Sequence, residues 1–238
     1  MINNLKILAV IPARGGSKSV PLKNLRKLNG VPLVEIAANV ASEVKYIDRV
    51  IVSTDHKGIA EAAIKGGAEA PFIRPDELSG DSISDLQVLT HAILKMEEID
   101  QCIYDIVLML QPTSPLRTKQ HIIDSLKILI EGNFDSVWSV SETDSKHHPL
   151  KQLKINNNLL EYYDNQGKNI IARQQLNKIY HRNGVVYSIT RACLLIKKST
   201  KGNKTGVLIT NGNHISIDNE WDFDLIEFIQ SKTYGNKN

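Results

Sequence analysis

No aspartate or glutamate occurs in residues 1–34, although that stretch carries six lysines and arginines. Cysteine is nearly absent, and Cys102 and Cys193 stand too far apart for a CxxC redox pair or a zinc knuckle. Both read as buried thiols of a reducing compartment. Aromatic residues make up 5% of the chain and the net charge is only +3, with no Lys/Arg tract interleaved with rings. That balance argues against a nucleic-acid partner. No run of about 18 apolar residues exists, which excludes a membrane-spanning helix and any membrane partner of that kind. Residues 1–6 show no charged segment ahead of a cleavable apolar stretch, so the expected location is cytoplasmic. Internal repeats and low-complexity tracts are also missing.

What is present is the composition of an ordinary globular chain, with 238 residues, 42% hydrophobic and 23% charged. Apolar strand-like runs at 5–11, 49–53, 106–110 and 136–140, and a weaker one at 71–74, alternate with helical patterns at 32–44, 58–65, 84–98 and 119–130. Such alternation predicts a three-layer, Rossmann-like α/β fold, a mostly parallel sheet with helices on both faces. Ser84 and Thr118 mark two helix starts. Residues 141–182 break the rhythm with turn signals between short strand-like pieces at 153–155 and 159–163. The expected organisation is an α/β domain of 1–140 and 183–238 with an inserted β arm at 141–182. An isolated ribbon buries little surface, so the arm is expected to dock on a second copy and make a homodimer. Strand character returns at 184–189 and 207–217, and a helix at 219–229 closes the pattern.

The early cations cluster in and around one glycine-bearing loop at 13–24, directly after the first strand, with Arg14, Gly15, Gly16, Ser17, Lys23 and Asn24. Glycines let backbone N–H groups approach an anion, and fixed cations add charge. Charge alone would permit a solvated surface loop. Placement at the end of a parallel strand turns the reading toward a polyphosphate. The spacing matches neither a Walker loop nor a G-x-G-x-x-G dinucleotide fingerprint.

Three further segments carry chemistry. LQPTSPLR at 110–117 has two prolines that fix a turn and leave Gln111, Thr113 and Arg117 as polar groups, although a rigid helix-capping turn would look the same. In SIDNEWDF at 216–223, alternation puts Ser216 and Asp218 on one side of a strand. Asp218 could there hold Mg²⁺ against substrate phosphates, while acids at a helix start are also favoured by the dipole, by roughly 0.3–1 kcal/mol. Within the arm, Lys151 and Arg173 are cations able to hold an acidic substrate, and the pair His147 and His148 lacks a third metal ligand.

IPARGGSKSVPLKN at 11–24, VSTD at 52–55, RPDELSGD at 74–81, LQPTSPLR, HHPLK at 147–151, ARQQL at 172–176, RNGVVY at 182–187 and SIDNEWDF occur in one order. Together they resemble the sugar-acid cytidylyltransferases of the CMP-N-acylneuraminate synthetase group. That resemblance implies CTP and a nine-carbon 2-keto sugar acid as substrates, giving the CMP-sugar and pyrophosphate with Mg²⁺. It assigns Arg14, Ser17, Lys23 and Asn24 to the phosphates, and Arg74, Asp81 and Asp85 to the neighbourhood of the cytosine. Gln111, Thr113 and Asn183 fall on the sugar side, Lys151 and Arg173 on the sugar carboxylate across a dimer, and Asp218 on the metal. Arg14, Lys23 and Asp218 are the implied catalytic set.

The chain departs from the family pattern at Ser19, at Asp85 where a small hydroxyl is usual, at His181-Arg182-Asn183, and at Ser216, where a second aspartate is common. Two other readings follow: a transferase for another acid such as 3-deoxy-manno-octulosonate, and an idle nucleotide-binding homologue, for which Ser216 is the support.

Overall fold

The computed structural model describes residues 4–212 and 214–235. Its elements in chain order are β1 (Ile7–Pro12), β2 (Lys27–Leu28), β3 (Val31–Pro32), α1 (Leu33–Ser42), β4 (Arg49–Ser53), α2 (Lys57–Lys65), α3 (Asp85–Asp100) and β5 (Ile106–Met109). There follow α4 (Lys119–Glu131), β6 (Ser136–Glu142), β7 (Leu153–Asn156), β8 (Leu159–Tyr162), β9 (Tyr180–Thr190), α5 (Arg191–Leu195), β10 (Thr205–Ile209) and α6 (Glu220–Gly235).

Six strands form the central sheet in the order β10-β6-β9-β5-β1-β4. β1 lies parallel to β4 and β5, and β10 parallel to β6, while β9 runs antiparallel between β5 and β6. The sheet is therefore mostly parallel, as the sequence rhythm predicts. β1 shows why it has two covered faces. Ile7, Ala9 and Ile11 pack into a cluster with Val34, Ala38 and Leu126, whereas Leu8 and Val10 pack with Leu89, Ile93 and Met96. Alternate side chains thus meet α1 and α4 on one face and α3 on the other, making three layers. Full burial of each such aliphatic side chain contributes roughly 1.5–3 kcal/mol. A third cluster, with Val20, Leu28, Leu33, Ile217, Phe223 and Ile226, packs α6 against the loop after β1.

Helix starts follow local chemistry. Ser84 and Gln87 form a capping box on α3, and Thr118 and His121 form one on α4. Two expected strands differ. Residues 71–74 form no strand: Glu69 exchanges backbone bonds with Val50 and Val52 of β4, after which Pro71 offers no N–H to continue the ladder. Strand character at 207–217 shortens to β10, and Gly212 at φ +100° turns the chain away. Asn213 of that segment lies outside the described residues, and so do 1–3 and 236–238. Between β6 and β9 the register slips from Trp138↔Tyr187 to Val140↔Arg182, so β9 bulges around Gly184. β7 and β8 pair as an antiparallel ribbon standing off the main sheet.

Burial lowers the pKa of His91, His121 and His214. The His121 and His214 rings meet edge to face at 4.9 Å, and His121 Nδ1 accepts the Thr118 N–H at 3.1 Å. The unfolded chain takes up protons near pH 6.5 that these folded sites refuse, so stability declines as pH falls below about 6.5. Thermal melts between pH 7.5 and 5 are expected to show a falling Tm, with a shallower slope in His214→Phe. An unchanged slope in that variant would remove the ring pair as a source.

Candidate active site

Because β1 and β5 run parallel, the loops that follow them emerge at the same sheet edge. There, with the coil before α3, they enclose a cleft of about 310 Å³. Arg14, Ser17, Lys23, Asn24, Arg74, Asp81, Asp85, Gln111 and Thr113 all line it. These nine expected site residues come together from segments about a hundred positions apart. Leu78, from within RPDELSGD, and Ile83 and Val88, which no motif contains, supply apolar wall.

The loop after β1 is folded by its own polar groups. Gly15 N donates to Asp55 Oδ1 at 2.8 Å, and Asn24 Nδ2 donates to the Arg14 carbonyl at 2.9 Å. A side chain at Gly15 would crowd His56, which stands 3.1 Å from the position of a Cβ. Lys23 is buried; its Nζ donates to the Ile217 carbonyl at 2.9 Å and lies 3.6 Å from Asp218 Oδ1. The segment bearing Asp218 is irregular, not a strand, so the expected alternation of Ser216 and Asp218 does not apply. It is held instead by Ile217 N donating to the Thr113 carbonyl at 2.8 Å and by Asp222 Oδ2, which accepts from Asp218 N and Asn219 N. Arg26 and Glu220 add a bidentate ion pair at 2.6 and 2.7 Å.

Charge in the cleft is unevenly paired. Arg14 Nη1 contacts Asp81 Oδ1 at 2.9 Å, and Lys18 Nζ contacts Asp81 Oδ2 at 2.5 Å. The Lys18 hydrogen bond is the main reason the Asp81 pKa is lowered. Lys18, a cation of the same basic loop, thus joins the expected cleft residues through Asp81. Arg74 is 3% exposed, its Nε and Nη2 have no hydrogen-bond partner among the described residues, and Asp55 Oδ1 stands 4.0 Å away. Burial lowers the Arg74 pKa, against the pull of Asp55 and with the push of Arg14. Burial also raises the pKa of Asp85, opposed by Arg182. A buried guanidinium with free donors and a half-buried carboxyl on the wall of one cleft suit a ligand offering both acceptors and donors.

The remaining expected residues lie elsewhere. Asn183 is buried, its Oδ1 accepting from Ser139 Oγ at 2.7 Å and its Nδ2 donating to Ser141 Oγ at 2.9 Å and Thr210 Oγ1 at 2.6 Å. Lys151 is exposed on the arm. Arg173 borders a small hollow with Glu142, His148 and Lys178. Asp218 lies next to the cleft through Lys23.

Residues 8–230 match the family model described as cytidylyltransferase. This chain belongs to the cytidylyltransferase family. The enzyme is 34% identical to a CMP-N,N'-diacetyllegionaminic acid synthase of Legionella pneumophila over 94% of this chain and 95% of that one. It is 30% identical to the post-translational flagellin modification protein B of Campylobacter coli, over 94% of both chains. Its fold is shared with a CMP:2-keto-3-deoxy-manno-octonic acid synthetase at a TM-score of 0.70 and 16% identity, covering 96% of this cytidylyltransferase and 99% of that chain.

Replacing Arg74 by Met is expected to weaken CTP binding about tenfold or more in calorimetry, since hydrogen bonds to charged groups contribute about 1.5–3 kcal/mol. Its Tm is expected to hold or rise, because a poorly paired buried cation is removed. Retained CTP affinity would take Arg74 out of the binding site.

Proposed function

We propose that this cytidylyltransferase transfers CMP from CTP to the anomeric hydroxyl of a nonulosonic acid, a nine-carbon 2-keto sugar acid, and releases pyrophosphate. The observation that carries the reading is the convergence of Arg14, Lys23 and the underused Arg74 on one cleft at the sheet edge. Arg14, Ser17, Lys23 and Asn24 grip the phosphates, with Arg14 leaving Asp81 as they arrive. Arg74 and Asp85 face the cytosine, whose ring carbonyl accepts and whose amino group donates, and Asp81 closes that end. Gln111 and Thr113 line the acceptor side, and Asn183 shapes it from within the sheet. The anomeric oxygen forms a bond to the α-phosphorus while the bond to the α,β-bridging oxygen breaks, and positioned cations neutralise the developing charge.

Support for the acceptor class comes from the HHPLK and ARQQL segments and from the relative whose name specifies diacetyllegionaminic acid. Mg²⁺ suits the donors present, since that ion commonly takes one or two carboxylates and completes its shell with phosphate oxygens and water. Asp218, exposed beside Lys23, is the residue to hold it, and among the described residues no cluster of three or more ligating side chains competes. Bound there, the ion adds positive charge to the phosphates.

The arm at 141–182 leaves Ile155, Leu159 and Leu160 at 76%, 67% and 68% exposure, more apolar surface than a two-stranded ribbon keeps in water. A homodimer covers it and brings Lys151 and Arg173 toward the acceptor's carboxylate. Among the described residues no helix is long and apolar enough to cross a membrane, and a cytoplasmic location completes the proposal.

Pyrophosphate release from CTP and Mg²⁺, assayed with neuraminic, legionaminic, pseudaminic and 3-deoxy-manno-octulosonic acids, is expected with one or more of the nine-carbon acids. Release with the eight-carbon acid alone, or CTP binding without release, would overturn the reading. Lys23→Ala and Asp218→Asn are each expected to lower kcat by about a hundredfold with the fold retained. Light scattering should give a dimer that Leu160→Asp converts to monomer; a monomeric wild type at micromolar concentration removes the dimer.

A further inference from the structure

Behind the acceptor side of the cleft lies a buried cation without a counter-ion. Arg117 is 4% exposed, and among the described residues no carboxylate stands within ion-pairing distance of it. Its Nε donates to the Val185 carbonyl, and its Nη2 donates to the carbonyls of Gln111 at 2.5 Å and Gly184 at 3.2 Å. Burying a charge in this way disfavours stability relative to an apolar side chain of similar size. One guanidinium thereby ties two segments together: the turn after β5, which holds Gln111 and Thr113, and the bulge of β9.

The joint leaves no room at Gly184, although Arg117 Nη1 finds no hydrogen-bond partner among the described residues. A Cβ at Gly184, whose φ is +71°, would come within 2.3 Å of Gln111 Oε1 and 2.6 Å of Ser114 Oγ. Ser114 Oγ donates to the Asn183 carbonyl at 2.7 Å, and the Asn183 amide is itself fixed by Ser139, Ser141 and Thr210. Arg14, Arg74 and Asp85, by contrast, belong to segments outside this joint.

We propose that Arg117 is a positioning residue for the acceptor: it fixes Gln111 and Thr113 against the β9 bulge and thereby sets how the attacking hydroxyl is presented. The inference rests on the transfer reaction proposed above. Lysine cannot replace it, because a single ammonium on a flexible stem does not span carbonyls of two segments as a planar fork does.

The test compares Arg117→Lys, Arg117→Met and the milder Ser114→Ala, each well below its own Tm with folding checked by circular dichroism. In the Arg117 variants, KM for the acceptor acid is expected to rise and kcat to fall, by about tenfold or more in kcat/KM, because small misplacements cost rates of that order. The Kd for CTP measured without metal is expected to stay within about twofold. Ser114→Ala should show the same split in smaller measure, and it decides the matter if neither Arg117 variant folds. Folded variants with wild-type constants overturn the inference, as does loss of CTP affinity equal to loss of acceptor affinity. A lowered Tm with unchanged kinetics reduces Arg117 to a structural role and also overturns it. A wild type that releases no pyrophosphate with any acid overturns the transfer reading and this inference together; normal wild-type turnover beside normal variants overturns this inference alone.

Discussion

A buried ammonium group bonded to a carbonyl 194 positions away closes the molecule around its cleft. Lys23 cannot be buried without acceptors, and the Ile217 carbonyl supplies one while the Asp218 carboxylate supplies opposite charge. The same peptide segment donates to Thr113 from the other side, so the loop after β1, the turn after β5 and the approach to α6 are fixed relative to each other. Apolar packing of Val20, Leu28 and Leu33 on Phe223 and Ile226 gives that arrangement its stability, while the polar bonds set its register.

The cleft also shows a trade between stability and use. Arg74 sits buried with unused donors, while Asp81 pairs with both Arg14 and Lys18. A protein optimised for folding alone would pair or remove such groups. Their retention where several loops meet is the kind of arrangement in which functional sites concentrate perturbed charges. β1, by contrast, buries only apolar side chains on both of its faces.

The reversed strand β9 divides the molecule's tasks. Its paired length completes the sheet, its bulge packs against the turn after β5, and its first residues lead out of the ribbon arm. Because β9 is antiparallel, its N-terminal end lies at the same edge as the C-terminal ends of β1 and β5. The arm is thereby rooted at the cleft's edge of the sheet.

Period and charge in the sequence determined the layered α/β fold, the helix caps at Ser84 and Thr118, the basic loop, and the arm as an interruption. Those features follow from local rules: alternation, capping chemistry and turn propensity act within a few residues. Of the nine expected residues in the cleft, Arg14, Ser17, Lys23 and Asn24 follow β1 and Gln111 and Thr113 follow β5, strands whose direction the rhythm already implied, whereas Arg74 and Asp81 arrive on the coil before α3 and Asp85 opens that helix. Only the tertiary structure decided that Asn183 spends its amide inside the sheet, that residues 214–219 run irregularly, and that Arg117 joins two distant backbones. Each of those outcomes depends on which polar groups lose water when remote segments pack together, and no local pattern of residues encodes that pairing.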